Sequence, residues 1–357
     1  MKGGIVVTIY YINQLILGLF SLLSGNNKNY RKYFLLLICF ITLFVGLRYN
    51  VGNDYAEYFA EFYYFQNGNS IDNYYEPIYA LINKISTSPI QVFFICSVLS
   101  FLFLYLAFNY FNPEKSILLF SLYFGFYLIL FNIHIIRQGV AIAIIMYSWK
   151  FIVKQKFWTF SLLVLIAMGF HVSAIFAFPM YFLARLNIPI NFKFFLIWLS
   201  PILLFIIIKA NALIFSLLSI IPFFARYAQV YSYGVYSEIE GLSFGFVLNI
   251  ILFVLVGVYI NKLKKNNFKK IDKKKEILIN IFFYSIIFAV ILRFNATALR
   301  ANYFYQVSNI FIFALIIDYF KEKKIVKLLL LVVSFLYLYQ NLTTGNAVLE
   351  YKTIFQR

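Results

Sequence analysis

A polar stretch at residues 48–58 follows an apolar run and carries side chains that could bind phosphate or transfer a proton. Within seven positions it contains an arginine, two asparagines, a glycine and an aspartate, namely Arg48, Asn50, Gly52, Asn53 and Asp54. Arginine binds phosphate through a planar, permanently charged fork of N–H donors, and a carboxylate can accept a proton from a hydroxyl group. The stretch is therefore predicted to form one wall of a membrane-embedded active site.

Two further acids follow this stretch at helical spacing. Glu57 and Glu61 lie three and seven positions after Asp54, so the three side chains would share one stripe of a helix. A structural interpretation is also open, in which Asp54 is the N-cap of that helix and Glu57 is its capping-box partner. The capping interpretation leaves Arg48 and Asn50 without a role, so both interpretations are retained.

A second candidate group stands at the start of an apolar segment. Arg137 and Gln138 directly precede residues 139–150, so Arg137 is predicted in the first turn of a helix. The amides of a helix N-terminus favour an anion, and an arginine there strengthens such a site. The alternative for Arg137 is snorkelling towards the membrane interface. His171 lies between two short apolar segments. It is interpreted either as a structural residue, or as a base or a hydrogen-bond donor to a phosphate group.

A third candidate group lies between residues 293 and 305. Arg293 and Arg300 are seven positions apart and would share a face if the chain between them is helical. Asn295, Asn302 and Tyr303 accompany them, which suggests an anion pocket. Arg226 stands beside four tyrosines that are predicted to stack on sugars or to form an interfacial belt: Tyr227, Tyr231, Tyr233 and Tyr236.

The composition indicates what kind of chain must position these groups. Of its 357 residues 63% are hydrophobic and only 12% are charged, and the mean hydropathy is +0.83. Soluble domains carry about twice that charged fraction, so the chain is predicted to be an all-α polytopic membrane protein. Two cysteines and two histidines do not suggest a disulfide framework or a histidine-rich metal site.

About twelve transmembrane or re-entrant helices are predicted in one integral membrane domain, residues 1–357. The first, residues 5–23, is interpreted as a span because it lacks the cleavage site of a signal peptide. The predicted spans cover residues 5–23, 33–47, 91–111, 116–132, 136–152, 157–170, 172–186, 194–209, 244–261, 277–292, 303–320 and 327–341.

The distribution of basic residues predicts an orientation. If the spans alternate, nineteen of the twenty-three lysines fall on one side, which is then cytoplasmic and includes the basic loop 262–276. The net charge of +18 is thereby attributed to topology and not to nucleic-acid binding. The opposite, outer side carries the large loops 48–90 and 210–243 and most of the arginines. Arginines placed against the topological rule require a reason, so function is predicted at the outer face.

These pieces, taken in their order, resemble the EpsG family of polytopic bacterial membrane proteins, which is related in role to Wzy-type O-antigen and capsule polymerases. The matching pieces spread from residue 48 to about residue 305: the stretch 48–58, Glu76-Pro77-Ile78-Tyr79, Arg137-Gln138, His171-Val172-Ser173-Ala174 and Arg300 with Tyr303-Phe304. The resemblance implies a multi-span architecture of the GT-C glycosyltransferase kind. It also implies polymerisation of lipid-linked repeat units at the outer face of the bacterial cytoplasmic membrane, facing the periplasm or the cell exterior.

The implied substrates are a growing glycan on undecaprenyl diphosphate and a second lipid-linked unit that supplies the accepting hydroxyl. The product would be a surface polysaccharide, that is O-antigen, capsule or exopolysaccharide. Besides the lipid bilayer, a chain-length regulator and a flippase of the same pathway are the expected partners. No nucleic acid is expected, and neither a cofactor nor a metal is needed, because the chain itself supplies cations.

A mechanism follows as a hypothesis. Arginines around the leaving lipid diphosphate would stabilise its developing charge, with Arg137, Arg293 and Arg300 first and Arg48 fourth. The candidate bases for the accepting hydroxyl are Asp54, Glu76 and His171. The predicted catalytic residues are Arg137, Arg300, Asp54 and His171, and those predicted to bind substrate are Arg48, Asn50, Glu76, Gln138, Arg226, Arg293 and Tyr303.

Two other functions remain open at this point. A flippase or another transporter of lipid-linked oligosaccharides could use arginines to guide an anionic head group. Such a protein should place charged groups deep in several spans, whereas here they gather at the predicted outer ends. A ligase or acyltransferase acting on the same polysaccharide is the third possibility.

Overall fold

The computed structural model describes residues 2–23, 29–68, 76–220, 241, 243–265, 271–343 and 350–356. The chain is mainly helical over those residues and forms no β-strand there; Arg48 and Thr353 form an isolated β-bridge. Seven helices of the described part are long and apolar enough to cross a bilayer, and three shorter apolar helices accompany them. The prediction of an all-helical, polytopic membrane protein is confirmed.

The helices group into two compact units. The first contains Met1–Phe178 and Phe313–Arg357, and the second contains Pro179–Ile312. The helices of the first unit are α1 (Lys2–Leu23), α2 (Tyr30–Gly46), α3 (Tyr55–Gln66), α4 (Pro77–Ile85), α5 (Pro89–Phe111), α6 (Ser116–Tyr123), α7 (Ile136–Val153) and α8 (Phe157–Met168).

The second unit comprises α9 (Met180–Leu183), α10 (Ile190–Lys209), α11 (Asn211–Ile220), α12 (Phe244–Lys265), α13 (Lys273–Ile291), α14 (Ala296–Arg300) and α15 (Tyr303–Gln306). Along the chain, α16 (Asn309–Ile317) begins in the second unit and ends in the first, and α17 (Lys323–Thr343) belongs to the first.

Each of the twelve predicted spans overlaps a helix or a pair of short helices. The described part of the predicted outer loop 48–90 contains two helices, α3 and α4. Seven of the overlapping helices have spanning length and composition, so the count of about twelve stays a prediction. That the chain forms one integral membrane domain of the GT-C kind also stays a prediction.

The first unit is built around an unusual continuation of α6. At Phe124 the helix widens into a π-helix that runs to His134, and α7 begins two residues later. Long π-helices are rare and are often found at functional sites. Nearly all side chains of this segment are buried, so the π-helix forms the centre of the unit while α5 packs against both α2 and α7.

Gly139 allows the first turns of α7 to lie against the π-helix. A Cβ at this position would collide with the carbonyl group of Phe131. Since that obstacle is backbone, a side-chain rearrangement cannot relieve it. The glycine therefore fixes how closely α7 approaches the π-helix, and α7 carries Arg137 in its first turn.

The second unit uses buried polar side chains to join its helices. The ammonium group of Lys193 on α10 donates to the Asn280 side chain on α13. Asn280 in turn donates to the carbonyl oxygens of Ala184 and Leu186, at 2.7 and 3.1 Å. Asn309 donates to Asn249 at 3.1 Å. Interhelical polar contacts of this kind join helices whose surfaces are otherwise apolar.

The first prediction concerns Gly139. Gly139→Ala should lower the free energy of unfolding by about 1–3 kcal/mol, because overpacking against backbone must displace a helix. Thermal unfolding of the purified protein in detergent measures the effect. Gly18→Ala is the matched control, because its Cβ would meet only Leu331, at ordinary contact distances of 3.6 and 3.7 Å. Equal stability of the two variants would contradict the packing argument.

Candidate functional site

Four side chains from three helices of the first unit form one group, here called the carboxylate–arginine cluster: Glu61, Glu76, Tyr79 and Arg137. The Arg137 Nη1 atom lies 3.2 Å from the Glu76 Oε2 atom and 3.5 Å from the Glu61 Oε1 atom. The Tyr79 hydroxyl donates to the Glu61 Oε2 atom at 2.9 Å. One guanidinium nitrogen therefore connects two carboxylates that are 15 residues apart in sequence.

Each helix presents its member of the cluster for a local reason. On α3, Glu61 lies on the face that also buries Tyr58 and Phe62. Glu76 is the N-cap residue of α4, where Pro77 occupies the first helical position. Arg137 is the second residue of α7. The exposed fractions of these side chains are 7% for Glu61, 12% for Glu76 and 21% for Arg137, so access to the cluster is greatest on the side of Glu76 and Arg137.

The turn after α8 holds Glu76 in place. The backbone N–H groups of Ile78 and Tyr79 both donate to the Gly169 carbonyl oxygen, at 2.9 and 3.0 Å. The Val172 N–H donates to the Glu76 Oε1 atom at 3.3 Å. Both oxygens of Glu76 thus have a partner, and the carboxylate is oriented as well as charge-paired.

The charge of the cluster depends on the protonation of Glu61. With both carboxylates ionised, one arginine and two glutamates leave a net charge of −1. Burial raises the pKa of Glu61, and the attraction of Arg137 and the Tyr79 hydrogen bond oppose that shift. A buried carboxyl group whose pKa is shifted beside a specific charge partner is typical of functional sites.

Aromatic rings border the guanidinium group. Its central carbon lies 5.2 Å from the ring centre of Tyr79 and 5.8 Å from that of Tyr58. These are cation–π distances. The contacts to carboxylates use the Nη1 atom of Arg137 alone, and no acceptor within the described residues engages its Nε or Nη2 atoms. Arg137 therefore keeps N–H groups with which it could bind an anionic substrate.

Arg48 has a different environment. Its side chain is 1% exposed and donates to three carbonyl oxygens, those of Val51 at 3.2 Å, Val45 at 2.8 Å and Ile133 at 3.4 Å. The guanidinium also lies 4.7 Å from the ring centre of Phe93. Burial lowers the pKa of Arg48 to about 10. In this structure Arg48 joins α2, the polar stretch and the π-helix, and its direct contact with substrate stays a prediction.

The rest of the polar stretch is bound to the end of the π-helix. Gly52 has a φ of +117°, and a Cβ there would lie 2.5 Å from the Ile133 carbonyl oxygen. Glycine is required at such a position. The Asn53 N–H donates to the Nδ1 atom of His134 at 3.0 Å, so neutral His134 carries its proton on Nε2. Asn50, with a φ of +53°, is exposed at the tip of this turn.

The acidic stripe is only partly as predicted. Asp54 does occupy the N-cap position of α3, but its side chain makes no capping hydrogen bond, so the capping-box interpretation is wrong in its central contact. Along the helix, Asp54 is half-buried, Glu57 is exposed and Glu61 is buried. The three acids therefore do not share one environment, and only Glu61 faces the core of the unit.

Gln138 directly follows Arg137, and His171 directly precedes Val172. The His171 Nδ1 atom is 3.3 Å from the Ser173 N–H that donates to it and 2.6 Å from the Ser173 hydroxyl. This histidine caps the short 3₁₀-helix Val172–Ala177, and Val172 is the residue whose N–H binds Glu76. Gln138 is 1% exposed within α7. The structural interpretation of His171 is thus realised, and roles for both residues with substrate stay predictions.

The third predicted group belongs to the second unit. Arg293 is buried and donates to the carbonyl oxygens of Ala289, at 3.2 Å, and Gly241, with its guanidinium 4.9 Å from the Phe246 ring centre. Arg300 is exposed at the end of α14, and Tyr303 is half-buried at the start of α15.

The condition under which Arg293 and Arg300 would share a helical face, a continuous helix between them, is not met. Asn295, between them, has extended backbone, with φ −153° and ψ 127°, and its side chain caps α14 by accepting from the N–H groups of Thr297 and Ala298 at 2.9 and 3.0 Å. The helical period is therefore interrupted. The predicted site residue Arg226 and its tyrosines, Tyr227, Tyr231, Tyr233 and Tyr236, lie outside the described residues.

Three residues of this region were not among the predicted site residues: Glu61, Tyr79 and His134. Glu61 could have been singled out by its position between Tyr58 and Phe62 on an apolar helix face, where an acid requires a partner. Tyr79 belongs to a piece that carries the family resemblance, but nothing local indicated the contacts of Tyr79 or His134, because their partners, Glu61 and Asn53, are 18 and 81 positions away. Within the described residues no group of three or more His, Cys, Asp or Glu side chains could hold a metal ion.

Comparison with known proteins gives one finding. A sequence model described as the EpsG family matches residues 31–353, which is nearly the whole chain. No curated protein and no solved structure matches the chain.

A second prediction follows from the carbonyl partners of Arg48. Arg48→Met keeps most of the side-chain volume but leaves buried carbonyl groups unpaired, so the free energy of unfolding should fall by about 1–3 kcal/mol or more. Chemical denaturation in detergent measures it. Arg31→Met makes the same change on an exposed arginine and should leave stability unaltered. A stable Arg48→Met protein would show that the carbonyl contacts contribute little.

A third prediction concerns the pH dependence of stability. Because the pKa of Glu61 is raised from 4.5 on folding, its protonation stabilises the fold below 4.5, and this contribution is lost as pH rises through the raised value. Glu61→Gln should remove that loss, whereas the exposed Glu57→Gln should not. The melting temperatures of the wild type and both variants are measured from pH 4 upward. If the melting temperature of Glu61→Gln depends on pH as steeply as that of the wild type, the prediction is wrong.

Proposed function

The chain belongs to the EpsG family, a Wzy-like polymerase family of membrane proteins, and on that premise we propose that it joins oligosaccharide repeat units carried on undecaprenyl diphosphate. The growing glycan is the donor, and a sugar hydroxyl of the next lipid-linked unit is the acceptor. The product is a surface polysaccharide such as O-antigen, capsule or exopolysaccharide.

The carboxylate–arginine cluster is the single observation that carries this proposal. Glycosyl transfer from a diphosphate requires a group that accepts the hydroxyl proton and a cation that stabilises the leaving charge. Arg137 and the two glutamates place both kinds of group within 3.5 Å of one another. They stand at the end of an apolar helix of spanning length, Ile136–Val153, where a lipid-linked substrate would present its head group.

Glu76 is the base in this proposal. Its side chain is more exposed than that of Glu61, and both of its oxygens are oriented by hydrogen-bond donors. The acceptor oxygen attacks the anomeric carbon of the donor sugar while its proton passes to Glu76. The bond between that carbon and the diphosphate oxygen breaks, and its electron pair remains on the lipid diphosphate.

Arg137 has two roles in the reaction. Its Nη1 atom holds the two carboxylates in place, and its remaining N–H groups stabilise the charge that develops on the diphosphate. Glu61, buried and bonded to Tyr79, keeps the guanidinium oriented. Arg300, which is exposed in the second unit, remains a candidate for contact with phosphate. Arg293 is a weaker one, because its guanidinium already donates to two backbone carbonyls.

The site faces away from the cytoplasm in this proposal. Support comes from the lysines, nineteen of which fall on the opposite side if the predicted spans alternate. The expected location is the cytoplasmic membrane of a bacterium, with a flippase and a chain-length regulator as partners. The protein's own cations provide the charge stabilisation, so the proposed reaction requires no metal ion.

Reconstitution tests the function itself. The purified protein in liposomes, given the lipid diphosphate-linked repeat unit, should produce a ladder of longer glycans and release one lipid diphosphate for each bond formed. Gel analysis and phosphate determination measure the two products. Movement of the unit across the bilayer without lengthening would indicate a flippase, and transfer to an acceptor other than a repeat unit would indicate a ligase.

A fourth prediction assigns the roles within the cluster. Glu76→Gln should lower turnover by about 10²–10⁴-fold, as expected for loss of a general base, and Arg137→Ala by at least about 10²-fold. Glu57→Gln is the matched control, because Glu57 is exposed on α3 outside the cluster. Turnover is measured as lipid diphosphate released per protein.

Arg300→Ala tests the second unit separately, and a loss of polymer with normal protein abundance would support contact with phosphate. Wild-type turnover in both Glu76→Gln and Arg137→Ala would contradict the assignment of the cluster as the reaction centre.

A further inference from the structure

The C-terminal residues 350–356 pair with the start of the polar stretch, although about 300 positions separate the two segments. From this juxtaposition we infer that the C-terminal segment is a positioning element of the reaction site and that Tyr351 is its principal residue. The inference rests on the proposed function, because it assigns a further part to the site described above.

The pairing is made by backbone groups. The Tyr49 N–H donates to the Lys352 carbonyl oxygen at 2.8 Å, and the Ile354 N–H donates to the Leu47 carbonyl oxygen at 3.2 Å. Arg48 and Thr353 form an antiparallel bridge between these contacts. The residues on either side of Arg48 are therefore held by the C-terminal segment, while the Arg48 guanidinium holds the π-helix.

Tyr351 completes the end of α2. The last carbonyl groups of a helix have no partner within the helix. Here the Phe44 carbonyl oxygen accepts from the Tyr351 hydroxyl at 2.7 Å, and the Val45 carbonyl oxygen accepts from Arg48 at 2.8 Å. The Tyr351 ring is stacked on Phe44 with centres 4.2 Å apart, and Tyr10 packs edge-on against it at 5.8 Å. One distant tyrosine thus caps the helix from which the polar stretch departs.

The contacts continue from this end of α2 to the cluster by two routes. Along one, Arg48 and Asn53 bind Ile133 and His134, and His134 lies three residues before Arg137. Along the other, the stretch leads directly into α3, which carries Glu61. Both carboxylate–arginine contacts of Arg137 therefore depend on where the stretch is held.

A displacement of the stretch would affect chemistry more than binding. Catalytic groups act only within a narrow range of distances, and a shift of about 1 Å can reduce the rate about 10²-fold. The polar stretch is connected to Glu61 through α3 and to Arg137 through the end of the π-helix. A displacement of the stretch would therefore alter the distance between Glu61 and Arg137. Within the described part of the chain, Tyr351 makes its side-chain contacts with Phe44 and Tyr10 and none with the cluster, which makes it a positioning residue.

The test compares three variants of the full-length protein reconstituted in liposomes. Tyr351→Phe removes only the hydroxyl, Tyr351→Ala removes the ring as well, and Phe355→Ala changes a neighbouring aromatic that is 83% exposed. We expect kcat to fall about three- to tenfold in Tyr351→Phe, as for one lost hydrogen bond, and further in Tyr351→Ala. The KM for the lipid-linked donor should not change, and Phe355→Ala should match the wild type.

A double variant separates positioning from general stability. If Tyr351 acts by holding Arg137 in place, adding Tyr351→Phe to Arg137→Ala should cause no further loss of the residual turnover measured over long reaction times. An additional three- to tenfold loss would overturn the inference. So would Tyr351 variants that melt at lower temperature but keep the wild-type kcat. Failure of the wild-type protein to lengthen any glycan would instead refute the proposed function.

Discussion

The first unit depends on the shared ion pair of Arg137 with Glu61 and Glu76. The three side chains are largely buried, and a charge left unpaired in such surroundings is strongly destabilising. Since the arginine is on α7 and the glutamates are on α3 and α4, the pairing fixes three helices relative to one another. The Tyr79 hydroxyl and the Val172 N–H satisfy further oxygens of the two carboxylates. What remains available is one side of Glu76 and part of the guanidinium.

A second arginine solves a different problem for the same unit. Where α2 ends and the π-helix ends, carbonyl groups lie in a buried region and require donors. Arg48 supplies three N–H groups to Val45, Val51 and Ile133. The C-terminal segment supplies the Tyr351 hydroxyl to Phe44 and the Ile354 N–H to Leu47. The two arginines therefore have different roles. Arg48 donates to backbone carbonyl groups and joins α2 to the π-helix, and Arg137 balances the charge of side chains that could act on substrate.

Local pattern was enough to predict the helices but not their meeting points. Apolar length predicted the helical segments, and the start of an apolar run correctly placed Arg137 in the first turn of α7. Spacing could not reveal that Glu61 and Glu76 share Arg137, because Arg137 follows Glu61 by 76 positions and Glu76 by 61 positions. The change from α-helix to π-helix at Phe124 could not be predicted, because the segment is apolar on all sides and shows no hydrophobic periodicity. Arg293 and Arg300 do not share one helix, because Asn295 between them has extended backbone and caps a new helix.

The central claim is that the carboxylate–arginine cluster is where the acceptor hydroxyl is activated. Its most direct test is an experimental structure of the protein with a lipid diphosphate-linked repeat unit bound. We predict that the accepting hydroxyl lies within about 2.6–3.2 Å of a Glu76 carboxylate oxygen, the reach of a general base. We also predict a phosphate oxygen in contact with Arg137. Bound substrate whose sugar and diphosphate contact neither residue would contradict the claim.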